Sequence, residues 1–200
     1  MEILVIPTKK YLDQSTDTKF SFFKFLNKNL LFIERSVAET NEEYLQIIPY
    51  IIVRNKTHIF TYQRLKGGNE ARLHAKYSIG IGGHIDRVKE LEHHSNLGSM
   101  MLNHAAYAEL FEELTIEDSS EFLPIKELEH LIYDPSNAVG RVHLGVLMEC
   151  HIADRGIRVN EIEKISGGMR LISDIQYMYN TNPDSFEVWT QIALKKLGLV

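Results

Sequence analysis

Cysteine is nearly absent: Cys150 stands alone in 200 residues. That excludes an intramolecular disulfide and any zinc site built from several thiolates. Its setting, LGVLMECHI, is apolar and reads as a buried structural thiol. Long hydrophobic runs are missing too, and no stretch approaches the roughly 20 apolar residues needed to span a bilayer. The N-terminal MEILVIPTKK has no basic lead and no small-residue cleavage site, so it reads as a strand rather than a leader. There is no long basic block, and a net charge of −5 argues against nucleic acid as the main partner. Internal repeats and low-complexity tracts are also lacking. These absences lead us to expect a cytoplasmic protein that neither crosses a membrane nor binds nucleic acid.

What is present is core-forming material, 44% hydrophobic and 24% charged, enough for one globular domain with an N-terminal elaboration. The chain turns on residues 77–116. Tyr77 to Ile81 is strand-like and breaks at Gly82-Gly83, where backbone can approach a ligand with no Cβ in the way. Further on, Ala105 to Leu114 is rich in helix formers and free of Gly and Pro. Glu109, Glu112 and Glu113 fall at i, i+3 and i+4, so three carboxylates share one helix face and repel one another. A hard divalent cation compensates such repulsion.

At these residues the chain resembles the Nudix hydrolases, among them the MutT-like phosphoesterases, whose signature is G-x5-E-x7-R-E-U-x-E-E-x-G-U with U aliphatic. Gly83, Glu109-Leu110, Glu112-Glu113 and Ile116 match it. Ala108 stands where the family has Arg, Thr115 where it has Gly, and Met100 where it has the upstream Glu. Gly83 to Ala108 spans 25 positions where the pattern spans 14, an insertion of 11 that corresponds to residues 86–96. Because Arg and Glu are lost together, Ala108 and Met100 are expected to pack in place of an ion pair.

The resemblance implies a Nudix-type α/β/α sandwich with a mixed β-sheet over residues 46–200, with residues 1–45 as an elaboration packed on it. It also implies Mg²⁺ or Mn²⁺ held by Glu109, Glu112, Glu113 and the Gly83 carbonyl. The implied reaction is metal-dependent cleavage of a phosphoanhydride bond in a nucleoside diphosphate linked to another group. A Nudix-like sensor of a nucleotide or sugar phosphate, without catalysis, is the alternative. Glu112 and Glu161 are the catalytic candidates, with Glu163 in reserve as the distant base. An isomerase of the isopentenyl-diphosphate type shares the fold but needs a reactive Cys, which the setting of Cys150 disfavours.

Elsewhere, Glu2 to Pro7 reads as a strand, and FSFFKFLNKNLLF as a short amphipathic or edge element whose phenylalanines form core or a homodimer contact. QIIPYIIV reads as a strand placed at an edge or bulge by Pro49. HIFTYQR alternates as a half-wet strand after an Asn55-Lys56 turn. Glu70, Arg72, His74 and Lys76 alternate in an extended segment, where basic side chains on one side can meet phosphate. Likeness to the family's phosphate side singles out Arg72, and His84, following the glycines, is the second substrate-binding candidate. Pro124 is expected to open a helix, VHLGVLMECHI to be a central strand, and His143 within it to be a hydrogen-bonded core residue. Ser173 with Gln176, and Asp184 with Glu187, read as capping pairs for two C-terminal helices.

Overall fold

The computed structural model describes residues 1–65, 75–117, 123–160, 162–163 and 165–200. Arg72 and Glu161, like Glu70 and His74, lie outside the described residues. The element order is β1 (Glu2–Pro7), α1 (Thr8–Ser15), α2 (Phe22–Asn29), β2 (Leu31–Glu34), α3 (Arg35–Ala38), β3 (Tyr44–Arg54), β4 (His58–Arg64), β5 (Tyr77–Ser78), β6 (Gly80–Ile81), α4 (Leu97–Glu113), β7 (Leu114–Ile116), β8 (Ile125–Ile132), α5 (Ala138–Arg141), β9 (His143–His151), β10 (Ile157–Val159), β11 (Ile165–Leu171), α6 (Ile172–Thr181) and α7 (Val188–Lys196).

The spine is β3 and β9, paired in parallel from Gln46↔His143 to Arg54↔His151. Their side chains alternate between two cores. Ile47, Ile51, Val53, Val146 and Met148 join Met101, Leu102 and Leu110 of α4, whereas Tyr50, Ile52 and Leu147 join Ile175 of α6 and Leu194 of α7. Burial on both faces is why these strands read as nearly unbroken apolar runs. Each fully buried Ile or Leu there contributes about 1.5–3 kcal/mol relative to exposure. The other ladders, β1 with β2 and β3, β4 with β5 and β11, and β8 with β9, are antiparallel. The architecture is the expected α/β/α sandwich around a mixed sheet. Among the described residues no helix is long and apolar enough to cross a membrane.

Pro49 lies mid-strand in β3 rather than at an edge or bulge. The Gln46 N–H donates to Val142 on the β9 side at 2.8 Å, so by alternation the Pro49 nitrogen faces the opposite flank. That flank passes from β1, at Tyr44 to Gln46, to β6, at Ile51 and Ile52, and its registers leave a notch between them. A missing N–H there costs no ladder bond.

Two further expectations are corrected. The segment after Pro124 is strand β8, because it pairs with β9, with a bulge between Glu127 and Leu131 and Glu129 at φ 56°. Neither C-terminal capping pair forms: α6 begins one residue before Ser173, Gln176 donates to Leu199 O at 2.6 Å, and Glu187 turns its carboxylate to Arg64. The 86–96 insertion is pinned to β1. Arg87 reaches Glu2 at 2.8 Å and Glu92 at 2.6 Å, and Asp86 bridges Ile3.

Candidate functional site

Gly82, Gly83 and His84 cross the notch beside Pro49. They leave β6 at Ile81 and rejoin the sheet where Ile85 O accepts the Leu4 N–H at 2.8 Å. A Cβ on Gly82 would overlap the Pro49 carbonyl, and one on Gly83 would overlap the Glu109 carboxylate. Glycine is therefore required twice by close approach. Glu109 is brought there by α4, whose Ala105, Ala106 and Leu110 are buried against the sheet.

Of the remaining helix acids, Glu113 is half-buried and Glu112 exposed. Among the described residues no three His, Cys, Asp or Glu side chains gather closely enough to hold a metal ion. The helix end is fixed by Asn160, which donates through its amide to Phe111 O at 3.1 Å and Glu112 O at 3.2 Å. Its backbone N–H donates to Glu113 O at 2.8 Å, and its Oδ1 accepts from Thr115 Oγ1 at 2.7 Å. These bonds satisfy carbonyls that a helix C-terminus leaves open. Thr115 lies in β7, paired with Arg158 of β10, so it is accommodated as a strand residue.

The same glycine turn forms one wall of a cavity of about 440 Å³. Arg35 and Glu39 border it from the N-terminal segment, Arg64 and Lys76 from the β4–β5 side, His143 from β9, and Trp189 from α7. His84 lies in this wall with only 17% of its side chain exposed, its Nε2 buried without a hydrogen-bond partner and 4.0 Å from Glu39. Burial, with help from Arg35 and His143 and against Glu39, lowers its pKa to about 4, so its imidazole is neutral at pH 7. His143 packs edge-on to it, ring centroids 5.6 Å apart. The His143 Nδ1–H donates to Val139 O at 2.7 Å, the hydrogen-bonded role expected for it.

Arg64 donates to Glu187 at 3.1 Å and to the Tyr62 hydroxyl at 3.3 Å, and that hydroxyl donates to Gly80 O at 2.9 Å. Burial opposes its charge, but Tyr62, Glu187 and Glu113 outweigh burial and hold the guanidinium above its ordinary value. A cation thus faces Glu113 from strand β4 rather than from the helix. Ala108, expected to pack, is exposed, and Met100 is half-buried. The reason is position: residue 108 lies on the solvent side of α4, opposite Ala106 and Leu110. Cys150 is fully buried, and burial pushes its thiol up to about 11.

Gly83 and Glu109 are therefore brought together, His84 follows them into the cavity wall, and Glu112 is exposed. Arg35, Arg64 and Trp189 went unread in the sequence. Arg64 closes an alternating strand and so carried a weak signal, whereas Arg35 and Trp189 are far from the motif and reach the cavity only through the fold.

No family model matches the chain. The fold is that of the Nudix hydrolases. It is similar to the crystal structure of Tm1382, described as a candidate Nudix hydrolase, at TM-score 0.73 and 22% identity over 98% of both chains. It is also similar to the MutT Nudix hydrolase of Burkholderia pseudomallei, at TM-score 0.52 and 17% identity over 75% of this chain and 95% of that one. The chain belongs to the family of protein YmaB of Bacillus subtilis (strain 168), with which it shares 30% identity over 172 residues, 81% of this chain and 75% of that protein.

Proposed function

We propose that this protein is a metal-dependent hydrolase that cleaves a phosphoanhydride bond in a nucleoside diphosphate linked to another group. The observation that carries the reading is the double duty of Gly83, which borders a cavity lined by Arg35, Arg64 and Lys76 together with Glu39, Asp134 and Glu187, and which packs against the Glu109 carboxylate. The residue types suit Mg²⁺ or Mn²⁺, being hard oxygen donors: Glu109 packs against the Cα of Gly83, and Glu112 and Glu113 lie on the same helical turn, although among the described residues the three are not gathered into one cluster. When bound, such a metal polarises phosphorus and lowers the pKa of a bound water.

The chain's own groups supply the rest. His84, neutral and with Nε2 buried at the wall, accepts or donates one hydrogen bond to the diphosphate. Arg64 and Lys76, and Arg72 from the segment between them, neutralise phosphate oxygens. Glu161, which follows the helix-capping Asn160 in sequence, is the proposed base, and Glu112 is the helix carboxylate whose loss as a charged metal ligand would stop the reaction. The isomerase alternative falls away, since Cys150 is buried and its thiol is held protonated.

The test is turnover on a panel of dinucleoside, sugar and coenzyme diphosphates with Mg²⁺, together with Glu112→Gln. Hydrolysis by wild type and a loss of about 10²-fold or more in the variant, at unchanged melting temperature, is expected for a group acting on the reacting centre. Mg²⁺-dependent stabilisation without cleavage of any panel member would replace the hydrolase with a nucleotide or sugar-phosphate sensor.

A further inference from the structure

Strand β11 closes one side of the main sheet and lacks the devices that blunt its other rims. It pairs with β4 in unbroken register from Ile165↔Arg64 to Leu171↔His58, and among the described residues no strand pairs with its other side. Proteins shield such edges with short strands, charges or bulges. β2 has four residues and runs into the charged Glu34-Arg35, and β8 is broken by its bulge and carries Lys126, Glu127 and Glu129. By contrast β11, ISGGMRL, extends for seven residues without proline, bulge or acid. Its one charge, Arg170, lies back over the Tyr77 ring at 5.3 Å. A Cβ on Gly168 would meet nothing within 4 Å, so the face above the middle of the strand is open.

The direction of its backbone groups follows from its neighbour. The Ala75 N–H donates to Arg64 O at 3.4 Å, so Arg64 turns its backbone away from β11, and by alternation Gln63, Thr61 and Ile59 turn theirs towards it. Their partners Ser166, Gly168 and Arg170 are therefore bonded to β4, while Ile165, Gly167, Met169 and Leu171 point N–H and C=O outward.

A second copy of the same strand satisfies those groups. A two-fold axis at Gly168 sets Ile165 against Leu171 of the other copy and Gly167 against Met169, all outward-facing, so the pairs exchange about eight hydrogen bonds. One face of that ladder is apolar, with isoleucine opposite leucine and a glycine leaving room for each methionine. Leu171, 42% exposed in the single chain, gains an apolar partner there. On the other face Arg170 falls opposite Ser166, so no like charges meet, and Gly168 meets its own copy at the axis. The strand is thus complementary to itself in shape, polarity and charge.

We propose that β11 is a homodimer interface at which two copies of this chain join edge to edge, antiparallel about Gly168, so that one sheet runs through both. This stands apart from the hydrolase reading and does not depend on it.

Sedimentation velocity on the full chain should show a monomer–dimer equilibrium, and two changes at the exposed Ser166 should move it in opposite directions. Ser166→Lys sets a cation opposite Arg170 on both sides of the axis and should weaken dimerisation about twofold to thirtyfold. Ser166→Glu offers each Arg170 a carboxylate and should tighten it by a similar factor at low salt. Amide exchange read residue by residue gives a second measure. The Gly167 and Met169 N–H groups should be protected only at concentrations where the dimer forms, and those of Gly168 and Arg170, bonded to β4, at every concentration. A protein that stays monomeric into the millimolar range overturns the proposal and leaves the edge to a strand of another protein. So does a dimer with the same dissociation constant in wild type and both Ser166 variants, or one in which Gly167 and Met169 exchange freely, since its interface then lies elsewhere.

Discussion

Gly82 and Gly83 are neighbours, yet different atoms forbid them side chains, and the difference is measurable. A Cβ at position 82 meets the Pro49 carbonyl, part of the central strand, which cannot move without disturbing β3. A Cβ at position 83 meets the end of the Glu109 side chain, which can swing away. Gly82→Ala should therefore cost about 2 kcal/mol or more of stability, and Gly83→Ala under about 1 kcal/mol. The second variant should instead bind Mg²⁺ more weakly, because the Glu109 carboxylate is displaced from its place against Gly83. Urea unfolding and calorimetric Mg²⁺ titration check the pair, and Mg²⁺ affinity equal to wild type in Gly83→Ala would remove Glu109 from the ligand set. Residues of this kind were readable because a helical spacing and a glycine turn constrain them locally. Trp189 was not readable, since its seat is built by Tyr50 and Gly145, and no periodicity connects those positions.

At the scale of elements, α4 decides how the missing box arginine should be understood. Ala108 is exposed, and positive charge reaches Glu113 from Arg64 on β4. Restoring the arginine by Ala108→Arg then adds a solvated cation beside a carboxylate-rich turn and should change stability by no more than about 0.5 kcal/mol. A loss well above 1 kcal/mol on urea unfolding would mean that position 108 is packed after all. Strands β3 and β9 were legible because burial on both faces writes an unbroken apolar run into the sequence. Strand β8 was not, because IKELEHLI is made of helix formers and only its pairing with β9 overrides their propensity. The capping pairs misled for a related reason: Gln176 and Glu187 found better partners in Leu199 and Arg64 than in their own helix ends.

The whole molecule meets at His84, where the glycine turn, α3 and β9 converge, and acid stability should report that convergence. Its neighbours are Arg35 and Glu39 from the α3 side and His143 from β9, besides the burial that dominates. The pKa is lowered to about 4 in the folded state, against an ordinary value near 6.5. Between those limits the unfolded chain binds a proton that the native protein does not, so stability rises with pH across this window and is lost as pH falls through it. Only 17% of the side chain is exposed, and the loss between pH 7 and pH 5 should be roughly 1–2 kcal/mol. His84→Gln keeps a neutral side chain of similar size and removes the titration, so its stability should fall less over the same interval. Urea unfolding of both proteins at the two pH values, in chelator-treated buffer so that metal does not compete with the proton, measures the difference. Equal losses in wild type and variant would mean that His84 is hydrated and titrates normally, and that the cavity wall between α3 and the glycine turn is open to solvent.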